Sequence, residues 1–112
     1  MDKLKTQFRQ MKILLFYDLP TTSKKNQSDM NKFRNELIKL GFIMIQESVY
    51  LKHCYNHDWV KRTKEKINNI LPPEGDIRLL VITNKQYEEI EIIRGNKKNK
   101  EYYQTDEPLI II

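Results

Sequence analysis

A two-layer α/β sandwich is the fold class this sequence predicts, with one sheet and two helices packed on a single face of it. Three observations lead there. Short apolar runs at Lys12 to Tyr17, Phe42 to Lys52 and Ile77 to Thr83 have the length and branched or aromatic content of strands. Between them, Met30 to Leu40 and Val60 to Leu71 carry apolar residues at helical spacing. The chain has 112 residues, enough for a single core, and neither an internal repeat nor a compositional break divides it.

Residues 1–10 (MDKLKTQFRQ) are polar and lack turn or strand chemistry, so they read as an extension or alternative start ahead of Met11, either a short surface helix or disordered. Lys12 to Tyr17 (KILLFY) reads as a strand buried on both faces and ended by Asp18 and Pro20. Thr21 to Gln27 is turn-like. Ser28 or Asp29 can then cap a helix that places Met30, Phe33, Leu37 and Leu40 on one side, and Gly41 stops it. Phe42 to Lys52 is strand-like but interrupted by Gln46, Glu47 and Ser48, which predicts a bend, bulge or tight hairpin.

Asn56 or Asp58 can start the second helix. Val60, Thr63, Ile67, Ile70 and Leu71 share one face of it, while Lys61, Arg62, Lys64, Glu65 and Lys66 face elsewhere. Pro72 to Gly75 ends it. Ile77 to Thr83 (IRLLVIT) reads as a central-type strand, followed by a polar turn at Asn84 to Tyr87 and a further strand at Glu89 to Arg94. The domain so defined spans residues 11–95. Residues 96–112 add a basic loop and a C-terminal strand, Leu109 to Ile112 (LIII), whose bare edge would invite aggregation unless covered. With helices on one sheet face only, a second copy of the chain is the natural cover for the other face and for this strand.

Hydrophobic residues make up 39% of the chain and charged residues 31%, so apolar material is scarce and an oligomer would help the core. Twenty Lys and Arg against 15 Asp and Glu give a net charge of +5, and the pI is about 9.3. That balance suits a polyanionic partner. Cys54 is the only cysteine, which excludes an internal disulfide and makes a reducing compartment the default. No apolar run approaches the roughly 20 residues of a membrane helix, and the first ten residues are too polar for a signal peptide. A cytoplasmic protein with no membrane contact is expected.

The ordered segments MKILLFYDLP (Met11 to Pro20), FRNELIKLGF (Phe33 to Phe42), QESVYLK (Gln46 to Lys52) and LPPEGDIRLLVITNKQYEEIEIIRG (Leu71 to Gly95) together resemble the CRISPR-associated Cas-two family, especially members from type II systems. The likeness covers about nine tenths of the chain. It implies an α+β, ferredoxin-like βαββαβ sandwich with an extra C-terminal strand, and two short strands turning near Ile45 and Gln46. It further implies a homodimer in which Glu89 to Arg94 and the C-terminal strand pack against the partner's sheet. As to activity, it implies a CRISPR adaptation protein that binds duplex DNA and scaffolds the Cas-one integrase, with magnesium-dependent endonuclease activity in some members. A metal-dependent endoribonuclease or DNase acting independently of integration is the alternative.

Asp18 is the best catalytic candidate, because it stands where a strand leaves the sheet and polar groups meet ligands. The competing reading makes it a turn residue bonded to the backbone of Leu19 to Thr21. The resemblance implies that the Tyr17-Asp18 pair supplies a magnesium ligand, with the two Asp18 residues facing each other across the dimer axis. Magnesium takes about six oxygen ligands, so a second copy, water and phosphate would have to supply the rest. Arg34 and Ser48 stand where the resemblance implies phosphate contact or nuclease function. Each also reads as an ordinary surface arginine or a satisfied sheet hydroxyl. Phe42 reads as core.

His53, Cys54 and His57 superficially resemble metal spacing, but a structural zinc needs four ligands and no second pair exists. The six tyrosines lack an RNA-binding signature around them and read mostly as core or interface. Candidates for nucleic-acid backbone contact are Lys24, Lys25, Arg34, Lys61, Arg62, Lys64, Arg78, Lys97, Lys98 and Lys100. A small-metabolite regulatory domain is disfavoured, because no glycine-rich ligand loop is present and the charge is positive.

Overall fold

Met11 to Asp18 alternates between two environments, and that alternation organises the molecule: Met11, Ile13 and Leu15 are buried, whereas Phe16 is 39% exposed. The computed structural model describes residues 9–95. In chain order these form β1 (Met11–Asp18), α1 (Lys24–Lys39), β2 (Ile43–Gln46), β3 (Val49–Cys54), α2 (His57–Asn68), β4 (Asp76–Thr83) and α3 (Asn84–Glu88). The four strands make one sheet in the order β2-β3-β1-β4, antiparallel at every pairing. The protein is an α+β sandwich, as its strand and helix patterns predict.

Ile13, Leu15, Tyr50 and Cys54 line one sheet face and pack with Phe33 and Leu37 of α1 and Val60 and Ile67 of α2. The opposite face carries a smaller cluster, Leu51, Ile82 and Tyr87, with Leu14 and Ile45 against it. Tyr87 comes from α3, so that one-turn helix tucks onto the face that α1 and α2 leave bare. A capping box starts it: Gln86 N–H donates to Thr83 Oγ1 at 3.0 Å, and Thr83 N–H donates to Gln86 Oε1 at 2.9 Å.

Several expectations change. Helix α1 begins at Lys24, not at Ser28 or Asp29, because the Ser23 side chain accepts from Asn26 N–H at 3.0 Å. An N-cap needs only its hydroxyl, and an exposed first turn carries no apolar signal. Strand β1 is not buried on both faces, and β4 is an edge strand with Leu80 52% exposed, not a central one. The segment 89–94 is not a strand. The chain turns into α3 directly after β4, so 89–94 pairs with no strand of its own sheet, and Ile93 is 90% exposed.

Helix α2 ends at Asn68, so Ile70 and Leu71 lie beyond it, and the expected turn at Asn84 to Tyr87 is the helix α3, closed by its own capping box; other boundaries hold. Asn56 caps α2 through its side chain, which accepts from Trp59 N–H at 3.0 Å. Gly41 ends α1 with a φ of +100°. The β2–β3 turn falls at Glu47 and Ser48, just past Ile45 and Gln46, with a register shift between Met44 and Gln46 and a φ of 62° at Ser48. The C-terminal strand, Lys97, Lys98, Lys100 and residues 1–8 lie outside the described residues.

Candidate functional site

Asp18 ends β1 directly opposite Asp76, the first residue of β4. Opposed residues in an antiparallel ladder project from the same face. Phe16 and Arg78 form the neighbouring pair on that face, so Asp18, Asp76 and Arg78 sit together at one end of the side that lacks α1 and α2. Arg78 Nε donates to Asp76 Oδ2 at 3.1 Å. The Asp18 carboxylate is exposed and receives no hydrogen bond among the described residues. Its turn-forming alternative, bonding to the backbone of Leu19 to Thr21, is therefore not realised.

Gly75 makes this pairing possible. Its φ is +111°, and a Cβ there would collide with Leu19 Cδ2 and lie 3.1 Å from the Asp18 carbonyl oxygen. Only glycine lets the loop after α2 pass this close to the end of β1 and deliver Asp76 in register. Sequence reading credited one chain with a single carboxylate and missed Asp76. The signal was available: a PPEG turn sets Asp76 at the start of a strand, and antiparallel pairing brings that start to the end of β1.

Tyr17 projects to the opposite face. Its hydroxyl donates to the Tyr50 hydroxyl at 3.4 Å, the two rings stack at 5.8 Å, and Tyr17 meets Phe33 edge-on at 5.5 Å. Burial pushes the Tyr50 hydroxyl pKa well above its ordinary value; the Tyr17 hydrogen bond adds to the rise and the Arg34 charge opposes it. Arg34, exposed on α1, contacts Met44 Sδ at 3.8 Å. Ser48 contributes its backbone, its carbonyl accepting from Tyr17 N–H at 3.1 Å. Tyr17 and Arg34 thus act on Tyr50 and Ser48 holds the Tyr17 backbone, while Asp18 points to the other side of the sheet.

The basic candidates are spread over three elements. Lys24 and Lys25 open α1, and Lys25 pairs with Asp29 at 3.2 Å. Lys61, Arg62 and Lys64 lie on α2, where Arg62 Nε donates to Asp58 Oδ2 at 3.2 Å. Arg78 lies on β4. Lys24, Lys61 and Lys64 have no carboxylate partner among the described residues.

His53 and Cys54 project from opposite faces of β3, and Cys54 is fully buried. Among the described residues no three His, Cys, Asp or Glu side chains form a group able to hold a metal. The magnesium implied by the resemblance finds two hard oxygen donors, Asp18 and Asp76, on one face. They fit such an ion in kind and fall short in number.

The fold is similar to that of a solved structure described as the crystal structure of cas2, with a TM-score of 0.55, 14% identity, and coverage of 79% of this chain and 91% of that one. That likeness concerns the fold. A family model described as CRISPR associated protein Cas2 matches residues 11–90. The chain belongs to the Cas2 family. Relatives named CRISPR-associated endoribonuclease Cas2 agree. The protein from Campylobacter jejuni is 47% identical over 85 residues, 76% of this chain and 59% of that longer relative. The Treponema denticola protein is 42% identical over 105 residues, 91% of this chain and all of the relative. No helix among the described residues is long and apolar enough to cross a membrane.

Proposed function

We propose that this Cas2-family protein acts as a homodimeric, ferredoxin-like scaffold in CRISPR adaptation, holding duplex DNA by its phosphates and docking the Cas-one integrase. One observation carries this reading: the sheet face bearing Leu14, Phe16 and Leu80 is left open by α1 and α2, with Phe16 39% and Leu80 52% exposed. A monomer gains nothing from such a face, whereas a two-fold dimer buries it twice. Unneutralised Lys24, Lys61 and Lys64 supply charge for phosphate contact without base readout. The test is spacer integration by the Asp18→Asn protein. Integration at the wild-type level supports a scaffold; its loss in a folded dimer overturns one.

A second reading, a magnesium-dependent endonuclease, is favoured by the Asp18–Asp76 juxtaposition and by the relatives' name, endoribonuclease. Magnesium bound there would polarise a phosphodiester and activate water. Asp18 and Asp76 would hold the ion, and Arg78 would keep Asp76 oriented. Cleavage that survives Asp18→Asn, or that ignores a chelator, overturns this reading.

A further inference from the structure

Beyond the carboxylate end of the sheet, the junction of β3 and α2 presents three aromatic rings in succession. His53 meets Tyr55 edge to face at 5.3 Å and 85°, and Tyr55 meets Trp59 edge to face at 4.8 Å and 84°. Tyr55 is 55% exposed and Trp59 39% exposed. Neither residue is needed for the core, which closes through Cys54 and Val60 on either side of them. Large aromatics held rigidly at a surface lose little conformational entropy on binding and offer faces to a flat partner.

The charge around them selects that partner. The Lys52 ammonium sits 5.8 Å from the Trp59 ring centroid and has no carboxylate within ion-pairing distance among the described residues. Arg62 and Lys66 follow Trp59 at i+3 and i+7, so they continue the same side of α2. Arg62 is partnered by Asp58; Lys66, like Lys52, is not. An aromatic platform edged by unneutralised cations matches a single strand of nucleic acid, whose bases stack while its phosphates meet the lysines. A continuous duplex hides its base faces and would use only the cations.

We propose that Tyr55 and Trp59, with Lys52 and Lys66, form a stacking platform for unpaired nucleobases, so that the protein holds a single-stranded end or overhang in addition to duplex. This rests on the nucleic-acid reading above but concerns a different surface. Trp59 is the only tryptophan in the chain, so its fluorescence reports on the site directly.

The experiment titrates the full-length protein with an oligothymidylate and, separately, with a blunt duplex, following Trp59 emission, while duplex binding is checked by gel shift. The oligothymidylate is expected to quench Trp59 strongly and the blunt duplex weakly. Tyr55→Ala, which keeps the reporter, should weaken single-strand binding by about fivefold or more, the scale of one lost stack. Trp59→Phe should bind a labelled strand more tightly than Trp59→Ala does. Duplex binding without single-strand quenching overturns the platform and leaves the scaffold standing. Quenching that inorganic polyphosphate reproduces, or that Tyr55→Ala leaves unchanged, also overturns it. Failure to bind any nucleic acid sinks the scaffold reading as well.

Discussion

Asp18 and Asp76 face each other across the terminal rung of the β1–β4 ladder, and Arg78, two residues along β4, donates to Asp76 but not to Asp18. Like charges directly opposed on one sheet face repel, and a single exposed arginine offsets that only in part. The repulsion would be relieved by a cation, by a basic group of a partner, or by removing one charge.

Removing one charge gives the simplest prediction. Asp18→Asn should raise stability by a few tenths of a kcal/mol in low salt, the lower part of the roughly 0.2–1 kcal/mol range for cross-strand pairs, because both groups are exposed. The gain should vanish near 1 M salt, where the screening length falls to about 3 Å. Urea midpoints of the two proteins at both ionic strengths measure this. A stability loss in low salt would mean that Asp18 has a favourable partner instead.

Gly75 holds the two strands in that register, so its replacement should be felt at the same place. Gly75→Ala forces a Cβ into Leu19 Cδ2 at a φ of +111°. The expected cost is at least about 1 kcal/mol, since the native backbone is one alanine rarely adopts. Denaturant unfolding reads the loss directly. Wild-type stability would show that the loop has an alternative path and that Asp76 is not pinned by it.

The parts of the fold legible in the sequence were those with a local cause. Asn56 as a cap, Gly41 as a stop and Phe33 with Leu37 as a helix face each depend on neighbours a few residues away, and each is found where the pattern puts it. What was not legible depended on pairing. The apolar content of Ile77 to Thr83 reads as a central strand, but its place at the edge follows from the β2-β3-β1-β4 order, which no local pattern encodes. The strand pattern at Glu89 to Arg94 likewise finds no partner strand among the described residues, although the outer edges of β2 and β4 are unpaired there. For the site, strand chemistry singled out Asp18, whereas Asp76 became visible only through register. Tyr17 and Asp18, adjacent in sequence, are separated by the period-two alternation of the very strand that joins them.

Two buried acids are expected to set the alkaline limit. Burial raises the pKa of the Cys54 thiol above its ordinary value of 9.0, with Thr63, Lys52 and Lys12 opposing the rise, and burial together with Tyr17 raises that of Tyr50 above 10.0. A pKa raised on folding contributes stability below the unfolded value, and that stability is lost as pH climbs towards the folded one. Melting temperature should therefore hold steady through neutrality and fall from about pH 9 upward. Tyr50→Phe should flatten the part of the fall above about pH 10, and Cys54→Ala the part that begins lower. A decline of unchanged shape in both variants would assign alkaline unfolding to other groups.

The open sheet face yields the prediction that bears most on function. Leu80 is 52% exposed in the single chain, and a two-fold dimer across this face would bury it in both copies. Completing the burial of two such leucines contributes on the order of 2 kcal/mol, or about thirtyfold in Kd. Leu80→Glu forfeits that and sets two carboxylates into an apolar interface, so its loss should exceed the hydrophobic share alone. Analytical ultracentrifugation should show a dimer for the wild type at micromolar concentration and a monomer for Leu80→Glu, with far-ultraviolet circular dichroism unchanged because Leu80 lies outside the main core. Lys32→Glu, an exposed charge reversal on α1 at the other side of the sheet, serves as the control and should stay dimeric. A monomeric wild type, or a Leu80→Glu dimer of undiminished affinity, would place the self-association surface elsewhere and remove the observation on which the scaffold reading stands.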